Sequence, residues 1–103
     1  MLVGRDSELV LVNGFNVYPG EVESVFTALD GVSAAAVVGV PDAASGEALR
    51  AFVVAEPGRE LAPADLLAGA ALSLARFKLP RQVEVVDTLP YTLTGKVKKW
   101  QLL

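Results

Sequence analysis

Apolar and polar positions fall into short runs whose period changes along the chain. Leu9-Val10-Leu11-Val12 is a continuous apolar run of strand length, and Phe15-Asn16-Val17-Tyr18 reads as a second strand. Between them stands Asn13-Gly14, a turn signal because both residues tolerate positive φ. Residues 9–18 therefore predict a β-hairpin. Pro19-Gly20-Glu21 opens a helix, since proline suits a first helical turn and Glu21 and Glu23 favour the positive end of the helix dipole. Val22, Val25, Phe26 and Leu29 fall at i, i+3, i+4 and i+7, one apolar face. Asp30-Gly31 predicts its end, with glycine as the C-cap.

Ala34 to Val40 is another apolar run of strand length, closed by Pro41-Asp42. Ser45-Gly46-Glu47 is a polar connection, and Leu49 to Ala55 is a strand ended by Pro57-Gly58. Pro63 and Asp65 start a second helix over 63–76, striped by Leu67, Ala70, Ala71 and Leu74 and stopped at Leu79-Pro80. Gly69 weakens that helix by about 1 kcal/mol against alanine. Val83-Glu84-Val85-Val86 is a further strand, Thr88 to Lys96 a loop, and Val97 to Leu103 starts a helix or frays. This order predicts an α+β fold: a small mixed sheet with an N-terminal β-hairpin, flanked by two main helices.

Composition narrows the chemistry. The chain has 103 residues, about one domain, with no Cys and no His. That excludes a disulfide framework, a thiol nucleophile, a Cys-type metal site and a histidine base. Chemistry must come from carboxylates, Lys, Arg, Tyr, hydroxyls or the backbone. Net charge is −3, divided unevenly: −5 over residues 1–50 and +2 over residues 51–103. The basic end suits an anion, but no basic stripe or aromatic platform points to nucleic acid. The longest uncharged run, Leu9 to Gly20, has twelve residues, short of the roughly twenty a membrane span needs. The start lacks a signal peptide's apolar core, so the cytoplasm is the default expectation.

Taken singly, the candidate motifs are weak. Thr92-Leu93-Thr94-Gly95-Lys96 puts a lysine after glycine in a hydroxyl-rich loop, where its donors can reach phosphate or carboxylate oxygens. It is not a P-loop: Pro90 and Val97 stand where that motif needs Gly and Ser or Thr. An ordinary turn remains the alternative. Arg5 could clamp a phosphate or ribose, or be a surface ion-pair partner. Gly14 could admit a ligand close to bare backbone, or serve only the turn. Glu21 and Glu23 point to different helix faces, so they read as dipole partners rather than an acid/base pair.

Together the segments form one pattern. Gly4-Arg5-Asp6-Ser7-Glu8 through Gly14-Phe15-Asn16-Val17-Tyr18-Pro19-Gly20-Glu21-Val22-Glu23, then Val38-Gly39-Val40-Pro41-Asp42 with Gly46-Glu47, then Leu74 to Pro80, then Leu89 to Lys96 occur in order. The whole resembles the C-terminal domain of AMP-forming acyl-CoA synthetases, in the adenylate-forming superfamily. The resemblance implies a two-step ligase, fatty-acid–CoA ligase-like, with ATP, Mg2+ and CoA as substrates of the full enzyme and the metal held outside this domain. A carboxylate attacks the ATP α-phosphate; the domain then rotates, and the CoA thiol takes the acyl group. By the same resemblance Lys96 is the adenylation lysine, Arg5 contacts the nucleotide ribose, and Ser7 is the hinge. Gly14, Phe15 and Asn16 face the CoA pantetheine. Ser7 departs from the usual hinge Asp or Lys, so Asp6 or Glu8 could share the pivot. The segment Leu74 to Pro80 resembles the end of the second helix, and Lys98 and Lys99 are further candidates for anion binding.

The resemblance also implies an absent partner. A large N-terminal domain would carry the ATP-binding loop and the acyl pocket, making residues 1–103 the mobile C-terminal domain, inactive alone. The alternative is a stand-alone binding module that shares the fold.

Overall fold

The computed structural model describes residues 9–102. The first two strands, β1 (Val10–Val12) and β2 (Phe15–Val17), make the expected hairpin, with Val10 opposite Val17 and Val12 opposite Phe15. Its tip holds Asn13 at φ 53° and Gly14 at φ 83°, two successive left-handed residues, the geometry whose twist matches the strands it joins. Helix α1 (Pro19–Thr27) follows, with Pro19 in its first turn and Val22 and Phe26 fully buried. It ends sooner than Asp30-Gly31 suggests: Ala28 is the C-cap, in right-handed conformation. Gly31, at φ 85°, instead leads into the next strand.

Strands β3 (Val32–Asp42) and β4 (Gly46–Ala55) form a long antiparallel pair, from Val32 opposite Ala55 to Asp42 opposite Gly46. Both exceed the apolar runs that announced them. Pro41 lies inside β3, which is tolerated because β3 is the sheet edge and no strand needs its missing N–H. Helix α2 (Pro63–Ala71) crosses over to β5 (Gln82–Val86), which runs parallel to β4 from Arg50 opposite Gln82 to Val54 opposite Val86. The sheet order is β2-β1-β4-β3, with β5 also on β4. Since β3 occupies one side of β4 throughout, β1 and β5 share the other. β1 holds the start of β4, through Val12 opposite Gly46, and β5 holds the remainder. The sheet is thus mixed, as the element order implied.

Alternation of side chains divides the sheet into two unlike faces. Val37, Leu49, Ala51 and Val53 point to the helices and join Val22 and Phe26 of α1 and Leu66, Ala70 and Leu74 in the principal core. Both helices lie on this face. Ala36, Val38 and Phe52 point the other way and are covered by Leu89, Val97 and Leu102 of the C-terminal segment. The second helix differs from expectation in two respects. Its buried stripe is Leu66, Ala70 and then Leu74, whereas Ala71 is exposed. It also stops at Ala71 rather than near 76, and residues Arg76–Lys78 form a separate 3₁₀ turn. The pull is tertiary: Phe77 stacks on Phe15 of the hairpin, and Lys78 pairs with Glu21 of α1. These contacts outweigh a weak local helix preference. The tail contains one 3₁₀ turn, Lys99–Gln101. Among the described residues no helix is long and apolar enough to cross a membrane.

Candidate functional site

The structure presents two candidate surfaces, the hairpin tip and a lobe carrying Lys96. The hairpin is anchored chiefly by groups distant in sequence. Leu11 N–H donates to Glu47 Oε1 at 2.8 Å, and Asn13 N–H donates to Ser45 O at 2.9 Å. Gly39 makes room for the buried Val10: a Cβ there would stand 2.7 Å from Val10 Cγ2. The turn joining β3 to β4 is itself braced. Asp42 Oδ2 accepts the Ser45 N–H at 2.9 Å, lies 2.8 Å from Ser45 Oγ, and pairs with Arg81 Nη2 at 3.2 Å. The Ser45 hydroxyl and amide, with help from Arg81, hold the Asp42 carboxyl below the ordinary carboxylate range. The residues 38–47 read in sequence as a motif are therefore the clamp that sets the hairpin.

At the tip, Gly14 is exposed, with open space where a side chain would be. The turn alone requires glycine-like freedom there. Phe15 stacks on Phe77, ring centroids 4.5 Å apart, and remains 54% exposed. Lys78 Nζ sits 5.8 Å from the Phe77 centroid and 2.8 Å from Glu21 Oε2. Asn16, the next residue in the strand, projects from the opposite face beside Leu11, also exposed. Phe15 and Asn16 thus serve different sides of the hairpin. A cleft of about 400 Å³ opens between the hairpin and the 76–81 segment, lined by Asn13, Phe77, Arg76 and Arg81 among others.

The lysine lobe is built locally. Within the expected loop over Thr88 to Lys96 the chain forms a small closed hairpin: Tyr91 bridges Val97, Thr92 N–H donates to Lys96 O at 2.7 Å, and Lys98 N–H donates to Pro90 O at 2.7 Å. Gly95, at φ 90°, makes the turn, and its N–H reaches Thr92 O at 3.0 Å. The Thr92 hydroxyl accepts the Lys96 N–H at 3.1 Å and lies 2.9 Å from Thr94 Oγ1. The hydroxyls of the motif are thus spent on the turn itself. Leu93 at the tip is fully exposed and Lys96 is exposed. Among the described residues no ion pair or hydrogen bond engages Lys96 Nζ. A cation so placed can approach an external anion without first breaking a contact.

The other sequence candidates fare differently. Arg5 and Ser7, with Asp6 and Glu8, lie outside the described residues. Lys99 is not an open anion site, since its Nζ stands 2.7 Å from Glu23 Oε2. Glu23 is correspondingly more than a dipole partner: it also accepts the Val37 N–H at 2.8 Å. Glu21 belongs to the first turn and is tied to Lys78 as well. No group of three or more acidic side chains gathers among the described residues to hold a metal ion. Glu23, Glu47 and Asp42 stand in segments that the sequence marks as motifs, but nothing in those segments names the distant partner each one finds.

The lysine lobe, unlike the hairpin tip, lies inside a family match. The profile of the AMP-binding enzyme C-terminal domain family covers residues 21–96, from the first turn of α1 to Lys96 itself. The chain belongs to that family. A methyl-dioxo-octahydro-indenyl-propanoyl:CoA ligase of Mycobacterium tuberculosis is 50% identical over 98% of this chain and 20% of its own length. The fatty acid–acyl-carrier-protein ligase ScoC of Streptomyces coeruleorubidus is 44% identical over 95% of this chain and 19% of its own length. ATP-bound MatB from Rhodopseudomonas palustris shares the fold with a TM-score of 0.89 at 45% identity, covering 96% of this chain and 20% of that one. The chain spans about a fifth of the length of the curated relatives it matches.

Proposed function

We propose that this chain is the mobile C-terminal domain of an ATP-dependent, AMP-forming acyl-CoA ligase, in which Lys96 serves the adenylate-forming step. The observation that carries the reading is the lysine lobe: an exposed ammonium without a partner among the described residues, held on a closed turn at the end of the family match. In the first step a carboxylate oxygen attacks the α-phosphorus of ATP and the bond to pyrophosphate breaks. Two anions must meet, and a lysine bridging them offsets their repulsion as charge is redistributed. No proton need move, so a chain without histidine suffices. In the second step the CoA sulfur attacks the acyl carbon, its thiol proton is released to solvent, and the acyl–oxygen bond breaks so that AMP leaves. Gly14, Phe15 and Asn16 would then face the pantetheine arm, Arg5 the ribose, and Ser7 would act as the pivot between the two poses.

The partner is a larger N-terminal domain of the same enzyme, which supplies the acyl pocket and the ATP-binding loop. Mg2+ would travel with the ATP phosphates, since among the described residues no group of three or more acidic side chains gathers to hold it. The reaction is read as cytoplasmic, where ATP and CoA are both available. The acid is a fatty or aryl carboxylic acid whose identity the other domain sets.

The test uses the full ligase. Lys96→Ala should slow adenylate formation, read by pyrophosphate exchange, by about 10²–10³-fold, the range for removing one preorganised charge-stabilising donor. Thioester formation from supplied acyl-adenylate should survive. Unchanged pyrophosphate exchange would overturn the assignment. Running the second step with CoA and with a carrier-protein thiol decides the acceptor.

A further inference from the structure

Glu23 stands where three elements meet. It projects from α1, accepts the Val37 N–H of β3 at 2.8 Å, and lies 2.7 Å from Lys99 Nζ. Both side chains of the pair are largely buried, 23% exposed for Glu23 and 21% for Lys99. β3 is the sheet edge, so the Val37 N–H that faces away from β4 needs an acceptor, and the Glu23 carboxylate supplies it. One carboxylate thereby binds the sheet edge and the segment that leaves the lysine lobe. Lys99 follows Lys96 closely in sequence. The intervening chain holds the base of the lobe, through Val97 bridged to Tyr91 and Lys98 N–H bonded to Pro90 O.

We infer that the Glu23–Lys99 pair fixes the pose of the lysine lobe on the domain, and so aims Lys96; the two are positioning residues for adenylate formation. The inference rests on the role proposed for Lys96. The lobe is rigid within itself, but its apolar seat on the sheet is small: Leu89, with Val97 and Leu102 beside it. Apolar contacts are non-directional and permit sliding. A mostly buried ion pair with a shared hydrogen bond is directional and fixes where the lobe's exit must lie. The hairpin is held elsewhere, by Glu47, Ser45 and Gly39. Loosening Glu23–Lys99 should therefore disturb one half-reaction and spare the other.

The experiment compares Lys99→Met, Lys99→Arg and Glu23→Gln in the full ligase, with Lys96→Ala alongside. Lys99→Met should lower kcat for pyrophosphate exchange about ten- to a hundredfold, the scale of a small misplacement of a reacting group. KM values and thioester formation from supplied acyl-adenylate should stay within about twofold, because the loss belongs to the transition state of the first step. Lys99→Arg should restore most of the rate. Glu23→Gln, which keeps an oxygen for Val37 and so guards against misfolding, should show the same split. If neither Lys99→Met nor Glu23→Gln slows exchange while Lys96→Ala does, the positioning role fails and the reading of Lys96 stands. A loss of both half-reactions together, in step with a lower melting temperature, also overturns it, because that marks a merely structural pair. If Lys96→Ala itself leaves exchange intact, the reading of Lys96 fails and takes this inference with it.

Discussion

The hairpin of residues 9–18 and the lobe of residues 88–99 are both short turns offering a few exposed residues, yet they are held in opposite ways. The hairpin depends on long-range bonds: Leu11 to Glu47, Asn13 to Ser45, Val10 against Gly39, and Phe15 on Phe77. The lobe satisfies its own backbone within residues 90–98 and reaches the body through Leu89, Val97, Leu102 and the Glu23–Lys99 pair. Under the proposed function, a surface facing a substrate arm gains from many distributed anchors, and a single charge aimed at a reaction centre gains from a self-contained arm with few attachments.

The largest effect that separates the two regions should come from Leu89→Ala. Leu89 is only 3% exposed and is the main buried residue that the C-terminal segment contributes to its face. Truncation should cost about 2–3 kcal/mol, the lower part of the range for buried leucine because the cluster is small and can collapse. Urea unfolding measures the loss, and amide exchange should rise in residues 91–98 more than in 10–17. Equal loosening of both would contradict their independence.

Gly39→Ala should act on the other region. The new methyl group would meet a β-branched, buried Val10 that has little room to turn. Overpacking of this kind costs about 1–3 kcal/mol. In the full ligase the thioester step should fall more than adenylation. A larger loss in adenylation would indicate that the hairpin and the lobe are coupled through the sheet.

The smallest effect concerns acid. The Asp42 carboxyl is held below its ordinary value in the folded state, first by the Ser45 hydroxyl and then by the Ser45 amide. A depressed folded value contributes stability that is fully present above the unfolded value, about 3.9, and is lost as pH falls through the folded one. The stability gap between the parent and Asp42→Asn should therefore be constant above about pH 5 and shrink towards pH 2. Thermal melts across that range measure it. A gap that does not change with pH would mean that Asp42 braces the turn by shape alone.

Much of this arrangement was legible because it is local. Two residues that tolerate positive φ between two strands name a hairpin, and a proline before an i, i+3, i+4, i+7 stripe names a helix. Resemblance across several ordered segments named the family, and the match over residues 21–96 agrees with it. What escaped reading was governed by distant partners. The second helix stops at Ala71 because Phe77 and Lys78 are drawn to Phe15 and Glu21. Glu23 and Lys99 looked like a dipole partner and an anion-binding end, since nothing in their own segments says that they meet. Thr88 to Lys96 read only as a loop, because its closure into a hairpin depends on Tyr91 and Val97 pairing across the turn.

By itself the sequence determined the elements, their order and the class of chemistry open to a chain without Cys or His. Those follow from steric preference, periodicity and side-chain inventory, which act over a few residues. Tertiary structure alone decided that both helices share one face, that the C-terminal segment covers the other, and that one carboxylate joins α1, β3 and the lysine lobe. These depend on which buried donors and charges find partners once the sheet is assembled, and that pairing becomes defined only when the chain has folded.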